Sequence, residues 1–362
     1  MRRIPGETDP RAARASPLAR IVFLVYVVLV AYASLYPFEG WRSVGLSPFT
    51  YLSAPWPRYI TAFDVVVNLA GYVPYGFLAV AALRPRVRGA PAFALAAASA
   101  ALLSLLLEAG QTYLPARFAS NLDVLCNLAG AALGAALALR LAPVIAEGPL
   151  HRARSQAFLP GAEVDFGLVL VALWLFLQLN PVALLFGAGD LRDFLAPIEG
   201  RARRPEFFVV IETFTTAANL TAVGLLLSAL LAPGRPARVM FCWLVVAALA
   251  VKSASFAILM RAENVFAWLT HGAQLGLAIG IAVVLAAATA PRTVRLALAA
   301  VLLMAATVLV NLTPANPYLA ESLKVWQQGH FLNFNGLTRV VSALWPFVAL
   351  GYLMFLAARR LK

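Results

Sequence analysis

Seven polar residues stand out in the first third of this sequence because they interrupt long apolar runs at helical spacing. They are Asp64 and Asn68, Glu108 and Gln111, Arg117, and Asp123 and Asn127. Asp64/Asn68 and Asp123/Asn127 are four residues apart and Glu108/Gln111 three apart, so each pair shares one face of a helix. Three helices can thus present carboxylates and amides to one site. The carboxylates would accept hydrogen bonds from hydroxyls or amines, or serve as acid and base; Glu108 and Asp123 are the candidates for the second role. The amides of Asn68, Gln111 and Asn127 would orient a ligand, and Arg117 would pair an anionic group or hold Glu108. An unpartnered amide or carboxylate inside an apolar span costs on the order of a few kcal/mol, so these groups should be partnered, and Arg117 is the cation at hand. Thr61-x-x-Asp64 and Ser120-x-x-Asp123 also have the form of a capping box, in which the acid merely closes a helix start. Capping does not account for Asn68, Glu108, Gln111 or Asn127, which lie a turn or more inside a span; polar gluing of helices and a ligand or catalytic site both stay open for these.

The elements that carry these residues are membrane helices. Of 362 residues 62% are hydrophobic and 12% charged, with mean hydropathy +0.82, which excludes a water-soluble globular protein. Runs long enough to span a bilayer lie near 21–36, 63–83, 91–109, 122–142, 164–180, 207–231, 239–258, 264–289, 294–312 and 339–358. The fold class is therefore all-α, a polytopic membrane bundle of about ten transmembrane helices. The even-numbered gaps and both tails hold 18 of the 29 Lys and Arg, among them Arg2, Arg3, Arg84, Arg86, Arg88 and Arg140, against five acids. That places both termini in the cytoplasm and assigns the whole net charge of +13 to topology, so no nucleic-acid partner is needed. Ala31-Tyr32-Ala33 after Arg20 has the form of a signal cleavage site, but an uncleaved first helix fits better, because Tyr36-Pro37-Phe38 continues a pattern that recurs later.

Self-comparison suggests a weak duplication. Pro37 matches Pro181, Glu108 matches Lys252, Gln111 matches Ser255 and Arg117 matches Arg261 at 144 residues; Asp64 matches Glu212 and Gly76 matches Gly224 at 148. The expected organisation is a tail over 1–20, a four-helix unit over 21–145, a degenerate second unit over 146–292 and two C-terminal helices over 293–362. Gly130-x-x-x-Gly134 and Gly272-x-x-x-Gly276-x-x-x-Gly280 suit close helix crossings. Trp41, Tyr51, Trp56 and Tyr59, and later Tyr318, Trp326, Phe331 and Phe334, read as interfacial aromatic belts. Arg201, Arg203 and Arg204 beside Glu199 and Glu206 read as a solvated charge run. Two cysteines, Cys126 and Cys242, and three scattered histidines, including His271 and His330, give no disulfide framework or metal site; no cofactor motif is present.

The ordered set Asp64-Val-Val-Val-Asn68-Leu-Ala-Gly71-Tyr72-Val-Pro74-Tyr-Gly76, Glu108-x-x-Gln111, Arg117 and Asp123-Val-Leu-Cys-Asn127-Leu-Ala-Gly130-x-x-x-Gly134 resembles the VanZ-like membrane domain. The likeness covers residues 21–142; the alanine-rich third helix is a departure from it. The resemblance implies a multi-pass protein of the bacterial inner membrane, in a family named after a factor that raises tolerance to the glycopeptide teicoplanin. Glu212, Thr216, Lys252, Ser255, Arg261 and His271 replace the acid and amide set in the second unit, which is not expected to hold the same site.

The expected function is binding of a membrane lipid, a lipid-linked envelope precursor or a lipophilic antibiotic at the outer leaflet. A membrane enzyme on a lipid-linked substrate and a transporter or flippase are the alternatives, and a homo-oligomer is compatible with each.

Overall fold

The computed structural model describes residues 17–43, 45, 47–147, 149–192, 194, 204–259, 265–314, 316 and 332–359. Within them lie helices α1 (Pro17–Leu35), α2 (Ala62–Leu83), α3 (Gly89–Gln111), α4 (Asn121–Glu147), α5 (Pro149–Ala157), α6 (Ala162–Leu177), α7 (Pro205–Leu230), α8 (Ala237–Leu259), α9 (His271–Ala287), α10 (Arg292–Leu312) and α11 (Leu332–Ala358). Outside the helices there is a 3-10 turn at Thr50–Ser53 and an isolated antiparallel bridge between Phe158 and Leu231. Each of the ten expected spans coincides with a helix, and α5 is an addition.

Eight helices are long and apolar enough to cross a membrane: α1 to α4, α7, α8, α10 and α11. The two exceptions are α6, with 16 residues, and α9, with 17. At 1.5 Å per residue they reach about 24 and 26 Å, short of a hydrocarbon core of about 30 Å. α6 ends early and α9 begins late, each for a local reason. Gln178 turns back onto its own helix, Nε2 donating to Trp174 O at 3.0 Å, and Thr270 caps α9 with Oγ1 accepting from Ala273 N at 3.1 Å. The eighth expected span thus begins at His271 rather than at 264.

The chain divides into two compact units, Met1–Arg154 and Ser155–Lys362. In the first, α2 and α4 cross with their backbones in contact. A Cβ on Gly76 would stand 1.9 Å from Ala131 O, one on Gly130 2.2 Å from Leu69 O, and one on Gly134 1.9 Å from Val73 O. Small residues at a crossing let dispersion act where lipid removes the hydrophobic drive for association. On α3, Ala92, Ala96 and Ala100 recur every fourth residue and are buried, so the alanine-rich sequence is its packing face. Pro74 interrupts α2, and in the turn it loosens Tyr26 of α1 donates to Gly71 O at 2.6 Å.

The second unit is built around α7, the most buried of the long helices, 72% of whose apolar window is covered. Gly272, Gly276 and Gly280 of α9 lie against Glu212, Thr216 and Leu220 of α7, so both glycine stripes serve close crossings. The C-terminal pair packs inside this unit, with Trp345 Nε1 donating to Leu170 O at 2.9 Å and Tyr352 Oη to Glu163 O at 2.7 Å.

The methyl test follows from the glycines. Gly134→Ala is expected to cost about 1–3 kcal/mol or more of stability, because the added carbon meets backbone that cannot step aside. Gly71→Ala, where nothing lies within 4 Å, is expected to be close to neutral; melting temperatures in detergent check the difference.

Candidate functional site

The site forms at one end of the first unit, where α2 and α4 begin and α1 and α3 end. Thr61 caps α2: its Oγ1 accepts from Asp64 N at 3.1 Å and donates to Asp64 Oδ2 at 2.5 Å. Asp64 is therefore a capping acid on the exposed rim. One turn on, Asn68 faces Asp123 of α4, near enough to favour its charged form. Glu108 of α3 is buried, 4% exposed, and its Oε2 accepts from Ser120 N at 2.8 Å. Ser120 also takes Asp123 N on its Oγ at 3.4 Å, so one residue serves both acids at the start of α4. Asp123 lies within the electrostatic reach of both Glu108 and Asp64.

A second polar tier lies one turn deeper on the same three faces. Tyr72 follows Asn68 by four residues, Ser104 precedes Glu108 by four, and Asn127 follows Asp123 by four. Asn127 Nδ2 donates to Ser104 Oγ at 2.9 Å, and the Tyr72 hydroxyl is buried in the same tier without a hydrogen-bond partner. Asn127, 5% exposed, keeps its Oδ1 buried without a donor.

Two of the seven expected residues turn elsewhere. Arg117 does not pair with Glu108; its Nε donates to Tyr36 O at 2.9 Å and its Nη2 to Ala33 O at 3.0 Å. Gln111 Nε2 donates to Ser34 O at 3.1 Å. The last carbonyls of α1 have no intrahelical partner and carry the negative end of the helix dipole, so a guanidinium and an amide are drawn there. Burial pushes the Arg117 guanidinium down, and the Glu108 charge offsets part of that. Among the described residues no cation lies within ion-pair distance of Asp64, Glu108 or Asp123.

Tyr51 is a correction to the belt reading. Unlike Trp41, Trp56 and Tyr59, which are exposed, it is 6% exposed and donates to Leu105 O at 3.0 Å. Burial, then the Glu108 charge, push its phenol up. The segment around it is tied over the ends of α3 and α4 by Thr112 Oγ1 to Pro48 O at 3.2 Å and Asn121 Nδ2 to Ala54 O at 2.8 Å. Tyr51, Tyr72 and Ser104 were not singled out for the site by spacing alone; the signal for the last two is a polar residue four positions from one already suspected.

Residues 22–142 match the family model VanZ/LLP1. The first unit is a VanZ-like domain. No curated protein and no solved structure matches the chain. The match begins and ends with α1 and α4, so the helices that assemble the acid tier are the VanZ-like helices.

Outside the VanZ-like domain the polar residues support irregular backbone. After α6, Lys252 Nζ donates to Asn180 O at 2.7 Å and Ala183 O at 2.9 Å, Ser255 Oγ to Leu179 O at 2.5 Å and Thr216 Oγ1 to Leu185 O at 3.1 Å. Glu212 Oε1 accepts from Thr270 Oγ1 at 2.7 Å, and His271 opens α9. Non-helical backbone at membrane depth needs such partners. Arg204 and Glu206 lie at the start of α7. Arg201, Arg203, Glu199, Arg261, Tyr318, Trp326, His330 and Phe331, and the side chain of Phe334, lie outside the described residues. Among the described residues no cluster of metal-ligating side chains occurs, and Cys126 and Cys242 are free thiols.

Two outcomes follow. Arg117→Ala is expected to cost about 1.5–3 kcal/mol in detergent unfolding, and Arg117→Lys to recover only part of it, because one ammonium does not reproduce the fork on two carbonyls. In the second unit burial pushes the Asp190 carboxyl up, but hydrogen bonds from Arg192 and the charges of Arg192 and Arg339 outweigh it and hold the group below the usual carboxylate range. A folded value below the unfolded one, near pH 3.9, stabilises fully above that pH and loses the contribution as pH falls through the folded value. Asp190→Asn should therefore melt lower than wild type at pH 7, with the gap closing below about pH 4.

Proposed function

We propose that the VanZ-like domain binds the polar head of an amphiphile at the outer leaflet of a bacterial inner membrane. The amphiphile would be a membrane lipid, a lipid-linked envelope precursor or a lipophilic antibiotic, and the consequence envelope homeostasis or teicoplanin-type tolerance. The observation that carries this reading is the acid tier itself: Asn68, Glu108 and Asp123 converge at one end of three membrane-spanning helices instead of being dispersed as separate caps. Intramembrane ionisable groups mark ligand sites more often than packing. Val66 and Val67 of α2, Leu102 and Leu106 of α3 and Leu125 of α4 present exposed apolar surface along the same helices, suited to an acyl chain beside the polar head. The Arg and Lys excess of the even-numbered gaps supports an orientation with both termini inside and the acid tier outside.

A second reading, catalysis on a lipid-linked substrate, is favoured by one observation, the electrostatic coupling of Glu108 and Asp123 through a shared Ser120. Two neighbouring carboxyl groups can divide acid and base roles.

The test uses Glu108→Gln and Asp123→Asn in the purified full chain. Each replaces a carboxyl by an amide that keeps an acceptor, and each is expected to weaken retention of labelled inner-membrane lipid extract by roughly ten- to a hundredfold. Tolerance to teicoplanin in a host expressing equal amounts of protein should fall in parallel. Unchanged retention and tolerance in both variants would overturn the binding reading. Turnover of the labelled lipid, abolished by Glu108→Gln, would transfer the site to the enzymatic one.

A further inference from the structure

We propose that the head group taken by the acid tier is cationic, a protonated primary amine carried on an amphiphile; this rests on the binding reading above and names its ligand class. Glu108 and Asp123 share Ser120 at the start of α4, Asp64 stands on the exposed rim one turn before Asn68, and no described cation is within ion-pair distance of any of the three acids. Arg117, the one cation whose field reaches Glu108, has two of its donor atoms committed to Ala33 O and Tyr36 O. Acids gathered in a low-dielectric setting need a proton or a counter-charge, and an ammonium brings both.

An independent observation points the same way from below. Asn127 stands one turn under Asp123, with its amide nitrogen on Ser104, itself one turn under Glu108. Its Oδ1, buried in a residue only 5% exposed, has no donor. The two tiers thus offer acceptors from three helices, carboxylate above and amide carbonyl below. An ammonium has three donors and no acceptor, which suits a site whose carboxylates outnumber its donors, the Tyr72 hydroxyl and the Asn68 amide; a phosphate has the opposite requirement.

The second unit holds a built-in counterpart. The residue 144 positions after Glu108 is Lys252, fully buried, whose ammonium sits on the carbonyls of Asn180 and Ala183, 5.6 Å from the centre of the Phe256 ring. Its charge reaches Glu212, which stands 148 positions after Asp64. There the chain supplies its own amine, held by backbone carbonyls; in the VanZ-like domain no described amine stands among the acids.

The probes are three fluorescent sixteen-carbon amphiphiles of matched chain, an alkylamine, an alkyl alcohol and an alkyl phosphate, titrated into the full chain in phosphatidylcholine nanodiscs. The amine is expected to bind at least about tenfold more tightly than either other probe, and Glu108→Gln or Asp123→Asn to erase that preference. Glu108→Gln keeps an oxygen for Ser120 N, and only variants that retain the wild-type melting temperature are scored. If the alcohol or the phosphate binds as tightly as the amine and depends equally on Asp123, the cationic assignment is overturned while head-group binding stands. If binding of all three probes is indifferent to both substitutions, the binding reading falls with it.

Discussion

Everything at the acid tier depends on how closely α2 and α4 approach. Gly130 and Gly134 on one helix and Gly76 on the other remove the side chains that would hold the backbones apart, and carbonyl oxygens of each helix occupy the space a Cβ would fill. That close approach brings the faces carrying Asn68 and Asp123 toward each other across the helix pair. The glycines give packing in a solvent that offers little other reason for helices to associate, and the same contact brings together polar groups that are costly when left alone in lipid. α3 joins the pair through its alanine face, which brings Glu108 to the start of α4.

The polar groups of this chain fall into two kinds. Arg117, Gln111 and Lys252 are consumed by backbone: they supply donors to carbonyls at the end of α1 or in the irregular segment after α6. Glu108, Asp123 and Asn127 instead bond small hydroxyl residues, Ser120 and Ser104, at one end of the first unit, with Asn68 beside them and the Asn127 Oδ1 left without a donor. The first kind holds the fold, and the second is what makes a site.

Much of this was legible from spacing. Apolar runs located every membrane helix, and the i, i+4 pairs placed Asn68 with Asp64 and Asn127 with Asp123 on shared faces before any contact was known. Thr61 and Ser120 signalled the helix starts, and the glycine stripes signalled crossings. What spacing could not show was the destination of a long side chain. Arg117 lies nine residues after Glu108 and six before Asp123, which suggests an ion pair, but the orphaned carbonyls of α1 lie within reach of its fork and win. Tyr51 was equally hidden, because an aromatic in a loop between spans looks the same in sequence whether it floats at the interface or folds onto α3. The helix ends at Leu177 and Thr270 depended on single caps inside continuous apolar stretches, where hydropathy carries no boundary.

The most direct measurement is native mass spectrometry of the full chain released gently from its own membrane, compared with the Glu108→Gln, Asp123→Asn double variant at matched melting temperature. A retained amphiphile of defined mass on the wild type, lost from the variant, is the predicted result. An identical lipid complement on both proteins would contradict the assignment of the acid tier as a head-group site.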